Sequence, residues 1–156
     1  MSASLALELD YLANDIFEEY KEIDVDVFSS STKHPLPVPV LFKRIKFQQH
    51  ADKLRRLSRE LSGILCEIEA LQFHPDNPEY ICSFLEILRE YSLNLKSTID
   101  KLLIICDQCS LNAEFKSMFR WKKYKSEVSD YKEMAEQLMD LGEKKNQRLK
   151  EICPEA

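Results

Sequence analysis

The chain reads as an all-α protein, an elongated antiparallel up-and-down four-helix bundle of one domain over residues 1–156, and three observations lead there. Apolar residues recur at steps of three and four over long stretches, the spacing of one helix face. Prolines and polar breaks divide those stretches into four. Only two glycines, Gly63 and Gly142, are present, too few for hairpin turns, phosphate loops or a strained catalytic elbow. Nothing alternates with the period of two that a strand requires.

Leu5, Leu9, Leu12, Ile16, Tyr20 and Ile23 mark a first helix over about 4–23, with Ser2 or Ser4 able to cap it. Residues 24–39 then lose the period, pass through Ser29-Ser30-Ser31 and collect Pro35, Pro37 and Pro39, so an arm is expected there. A second helix, about 40–72, carries Phe47, His50, Leu54, Leu57, Leu61, Ile64, Ile68 and Leu71, the seam of a coiled coil. His74-Pro75-Asp76-Asn77-Pro78 interrupts it, with Asn77 placed to cap a third helix over about 78–109. Ile81, Phe84, Leu85, Leu88, Tyr91, Leu95, Ile99 and Leu102 form its apolar face. Ser110 or Asn112 can cap a fourth helix, about 112–152, whose polar end from Gly142 to Lys150 is expected to project. Helices of about 30 residues span about 45 Å each, and the short second turn makes neighbours antiparallel.

Charge is unevenly placed. The first 28 residues hold eight acids against Lys21 alone, a net −7 in a chain whose total is −5. The opposite sign gathers on the front of the second helix, at Lys43, Arg44, Lys46, Arg55, Arg56 and Arg59. A second basic group, Lys116, Arg120, Trp121, Lys122, Lys123 and Lys125, opens the fourth. Antiparallel packing brings both toward one end, and these twelve residues are the candidate binding surface. An acidic protein or an anionic lipid surface suits such a patch, through snorkelling cations and interfacial rings. Equally, the second-helix cations can pair with the acidic first helix beside them. The overall acidity argues against nucleic acid as the partner.

Candidate chemistry is sparse. Cys106-Asp107-Gln108-Cys109 is a CxxC, but no second pair follows and the βαβ setting of redox motifs is absent. Cys66, His74, Cys82 and Cys153 would gather toward the other end, yet their spacing fits no zinc signature. His50, on the second-helix seam, reads as a hydrogen-bonded register position. The paired Glu-x-x-His motifs of di-iron bundles are missing. No catalytic residue, metal site or cofactor is therefore expected, and the chain reads as a non-enzyme. Five cysteines without a framework, no apolar run long enough to span a bilayer and no signal-like start lead to the expectation of a cytoplasmic chain, with peripheral membrane attachment as the variant.

The stretch Gln49 to Leu71, QHADKLRRLSRELSGILCEIEAL, resembles the second helix of the four-helix bundles that open mixed lineage kinase domain-like proteins, fungal HeLo-type proteins and plant U-box ubiquitin ligases. The resemblance runs from about Phe47 to Leu141 on apolar spacing, and Ala113-Glu114-Phe115-Lys116-Ser117-Met118-Phe119 supplies the aromatic-basic start of a fourth helix. It implies a non-catalytic signalling bundle. In the kinase-like and HeLo branches that means an oligomerising binder of anionic membranes, and in the ligase branch a protein-interaction module or adaptor. Two features depart from it, the acidic first helix and the longer proline-bearing arm. The expected function is binding of a protein partner in signalling, with anionic lipid bound by the basic end as the alternative and self-association compatible with either.

Overall fold

The computed structural model describes residues 2–33, 40–114 and 121–153, and side chains over 3–28, 46–110 and 123–153. Four helices follow in order: α1 (Ser2–Lys33), α2 (Val40–Gln72), α3 (Glu79–Glu114) and α4 (Trp121–Ile152). They form the four-helix bundle that the periodicity predicts, with no strand among the described residues. Cross-helix pairs set the directions. Arg56 meets Glu19, Glu69 meets Arg89, and Lys101 meets Glu127, so α1–α2, α2–α3 and α3–α4 all run antiparallel.

The third helix is the axis of the core. Ile81, Phe84, Leu85, Leu88, Leu95, Ile99, Leu102, Ile105 and Cys106 are fully buried on it, a stripe wide enough to face three neighbours at once. Both α2 and α4 pack mainly on α3. Leu54, Leu57, Leu61 and Ile68 supply the α2 seam, as the heptad spacing predicts. On α4 the buried positions fall seven apart, at Tyr131, Leu138 and Lys145.

The first helix differs from the expectation in register and in length. Its buried seam is Ala6, Leu9, Ala13, Ile16, Tyr20, Ile23 and Val27, while Leu5 and Leu12 are 43% and 40% exposed. Two alanines let the α1 backbone approach the core closely, and the larger leucines turn outward. The helix also runs through 24–33, where an arm was expected. Val27 is buried there, Phe28 stacks on Tyr131 with ring centroids 5.3 Å apart, and Asp24 and Asp26 bond to α4 and α2. These tertiary contacts outweigh the weak helix preference of the serine run. Pro35, Pro37 and Pro39 lie outside the described residues.

Two further boundaries move. The third helix continues through Ser110 and Asn112, both expected to cap the fourth, and Ser110 is buried within it. At the α2–α3 turn, the Asn77 side-chain amide donates to the Leu71 carbonyl at 2.6 Å, closing the end of α2 where capping of α3 was expected. Pro78 instead leads α3, its carbonyl accepting from the Ile81 and Cys82 amides. The polar end of α4 does not project. Lys145 is buried, and Leu149 and Ile152 pack against the core.

Candidate functional site

Antiparallel packing brings the front of α2 and the described start of α4 to the same end, and both helices pack mainly on α3. Three α2 cations are engaged within the bundle. Lys46 Nζ donates to Asp26 at 2.9 Å, and Arg56 reaches Glu19 of α1 at 2.6 Å and Glu60 at 3.3 Å. Arg55 makes two bonds to Asp107 of α3, at 3.0 and 3.1 Å, and one to Asp52. Arg59 donates only to the Arg55 carbonyl, 3.4 Å away within its own helix. Lys123 and Lys125 are exposed on α4. Lys43, Arg44, Trp121 and Lys122 sit in helices but their side chains lie outside the described residues, as do Lys116 and Arg120 altogether.

Pairs this exposed are largely screened by solvent, so they set register more than they hold the fold. One is tighter. His50 Nε2 lies 2.5 Å from Asp26 Oδ2, with the imidazole largely covered. Burial alone would raise the Asp26 carboxyl; the hydrogen bonds and charges of Lys46 and His50 together outweigh it and hold the group below the usual carboxylate range.

The most enclosed polar chemistry lies elsewhere, between α1 and α4, where the sequence was read as a projecting tail. Lys145 Nζ is buried to 1% exposure and makes a 2.5 Å ion pair with Asp10, whose side chain is 6% exposed. Its remaining donors meet Asn14 Oδ1 and Asn146 Oδ1, each at 3.2 Å, and the ammonium stands 5.1 Å from the centre of the Tyr91 ring. Two turns further along α1, the Tyr20 and Tyr131 hydroxyls are 2.6 Å apart, and Tyr131 donates a short hydrogen bond to Asp24. Burial pushes the Tyr20 phenol up to about 12, moderated by its bond to Tyr131. Burial likewise raises Tyr131, with the Tyr20 and Asp24 neighbours adding to it. Both phenols are neutral, as a hydrogen-bonded bridge between helices requires.

A cavity of about 360 Å³ adjoins the Lys145 pair, bounded by Asn14, Phe17 and Glu18 of α1, Tyr91 of α3, and Leu138, Met139, Gly142 and Glu143 of α4. Beside it, α1 and α4 are joined by the polar side chains of Asp10, Asn14 and Lys145. The sequence did carry two signals. Lys145 continues the seven-residue spacing of Tyr131 and Leu138, and Gly142 is the one glycine inside the α4 pattern.

The cysteine motifs assemble no site. Cys106 is buried, and its thiol is pushed up to about 12 by that burial, then by the charges of Cys109 and Asp107, which keeps it protonated and unreactive. Cys66 is exposed and Cys82, Cys109 and Cys153 are half-buried, with Cys109 packed against the core and its thiol 3.9 Å from the Tyr124 hydroxyl. Among the described residues no group of three or more His, Cys, Asp or Glu could hold a metal ion, and no helix is long and apolar enough to cross a membrane. No family model, curated protein or solved structure matches the chain.

Proposed function

We propose that this bundle is a non-catalytic interaction domain that binds a basic protein partner through the outward face of α1. One observation carries the reading. Ser4, Glu8, Tyr11, Asp15, Glu18, Glu22 and Val25 follow steps of four and three along α1, opposite its buried seam, and every one is exposed. Four are acids, and Tyr11 and Val25 stand 66% and 56% exposed among them. An exposed ring among carboxylates gives a protein contact an aromatic anchor beside the charges that steer it. The basic residues first considered are less suited, since Lys46, Arg55 and Arg56 are already paired inside the bundle.

The test is affinity capture with photo-crosslinking from position 11, beside a control crosslinker at Ser97 on the exposed face of α3. A partner trapped from position 11 alone, released by moderate salt and lost on Glu8→Lys/Asp15→Lys/Glu22→Lys, supports the reading. Equal trapping from both positions, or retention by the charge-reversed protein, refutes it.

A second reading rests on the α1–α2 ion pairs. Glu19 and Asp26 neutralise Arg56, Lys46 and His50, so detaching α1 would uncover a row of cations along α2 suited to anionic lipid. Flotation with anionic vesicles decides it: binding must appear when α1 is released by Glu19→Lys/Asp26→Lys and stay absent for neutral vesicles.

A further inference from the structure

We infer that the cavity between α1, α3 and α4 is a binding site for a small organic ammonium ion carried on an apolar body. Its volume of about 360 Å³ falls in the range of small-molecule sites. Phe17 and Tyr91, with ring centroids 6.4 Å apart, make an aromatic wall, and Leu138 and Met139 continue it in aliphatic carbon. Such walls hold an apolar body; ring faces favour a cation over an anion, and one face of Tyr91 already carries the Lys145 ammonium 5.1 Å from its centre.

Charge decides the sign of the ligand. The Lys145 ammonium on the lining does not make an anion site, because its donors are already met by Asp10, Asn14 and Asn146 and its charge is cancelled by Asp10 at 2.5 Å. What remains is the pair of carboxylates on the lining, Glu18 of α1 and Glu143 of α4, neither of them in an ion pair or hydrogen bond among the described residues. A cation entering between them gains two charge-assisted contacts, one from each helix, while an anion would meet both as repulsion.

The fold keeps the space open. Gly142 places no side chain in the cleft, and a Cβ there would rest 3.5 Å from Tyr91 Cε2, an ordinary contact. Alanine is therefore accommodated, and a longer side chain at 142 would fill the cavity. Glycine mid-helix is less stable than alanine, so backbone stability alone does not select it.

The experiment is an amide NMR titration of the full chain near pH 7 with n-hexylammonium, n-hexanoate and hexan-1-ol, at the millimolar concentrations so small a ligand needs. The ammonium should give saturable shifts centred on Gly142 and Tyr91, and bind about tenfold more tightly than either other probe. Glu18→Gln/Glu143→Gln, both on exposed positions, should erase that preference while leaving alcohol binding unchanged. Gly142→Leu should abolish binding with helicity retained, and Gly142→Ala should keep it. Absence of saturable shifts, equal affinity for the carboxylate or the alcohol, or undiminished binding by folded Gly142→Leu would each overturn the assignment.

Discussion

Replacing Lys145 by methionine isolates the buried ion pair. The side chains match in length and shape, so packing changes little, but Asp10 is left with Asn14 alone in a site it shares with almost no water. Truncating one member of a buried pair costs about 3–5 kcal/mol because the other charge stays stranded. Lys145→Met should therefore destabilise by about 3–5 kcal/mol.

Urea unfolding followed by far-UV dichroism at pH 7 measures this directly. The double variant Asp10→Leu/Lys145→Met removes both charges and should return to within about 1 kcal/mol of the native chain. A single-variant loss below about 1 kcal/mol, or a double variant no more stable than the single one, would mean that the pair is solvated and that α1 and α4 meet differently. A domain of this size has about 5–15 kcal/mol in total, so the pH 7 effect is a large fraction of its stability.

Three other outcomes are expected. Leu9→Ala should cost about 2–4 kcal/mol and Leu12→Ala under about 1 kcal/mol, since Leu9 is buried and Leu12 is 40% exposed; equal losses in thermal or urea unfolding would contradict the α1 register. The Tyr20 phenol is raised to about 12 and Tyr131 is raised as well, so this stability is complete below about pH 10 and is lost as pH rises through the folded values. Phenolate absorbance and helix loss should therefore rise together above about pH 10, and phenolate forming there with helicity intact would refute the burial. The lowered Asp26 carboxyl works in the opposite sense: its contribution is present above about pH 4 and disappears as pH falls through its folded value, so Asp26→Asn should flatten the acid arm of the stability profile.

How much of this was legible in the sequence depended on whether one residue type settled each position. Helix α2 could be read to its ends because a heptad seam spans Leu54 to Leu71 and prolines bound it. Residues 24–33 could not, because among those whose side chains are described only Val27 is buried, and the rest of their support comes from the Phe28–Tyr131 stack and from Asp24 and Asp26 reaching α4 and α2. Ser110 and Asn112 have the chemistry of caps but lie inside a helix whose neighbours bury its face, a tertiary override of local preference. Lys145 was read as solvent because lysine almost always is; only Asp10, 135 positions away, explains its burial. The pairing of acidic α1 with basic α2 was legible in outline, because opposite charge runs on antiparallel neighbours leave few other arrangements.

The two kinds of seam in this bundle give α1 a distinct role. On α3, α2 and α4 are held by leucine and isoleucine packing, which is strong and tolerant of substitution. Toward α4, α1 relies on the Phe28–Tyr131 stack and on Asp10–Lys145, Tyr20–Tyr131 and Asp24–Tyr131, polar contacts that contribute little relative to apolar pairs but cost much when half-broken. Such a seam fixes where α1 sits more than it fixes how tightly. Because the proposed partner face and the proposed ammonium cavity both take residues from α1, anything bound in the cavity also bridges α1 to α4 through Glu18 and Glu143. A ligand at about a hundred times its dissociation constant would add about 2.7 kcal/mol to that docking by mass action, comparable to the ion pair itself. The same linkage runs the other way, with Glu18 setting its sign: it belongs to both proposed sites, so a basic partner that engages this carboxylate competes with the ammonium ion, whereas one that holds α1 through Glu8, Asp15 and Glu22 tightens the cavity by an equal factor.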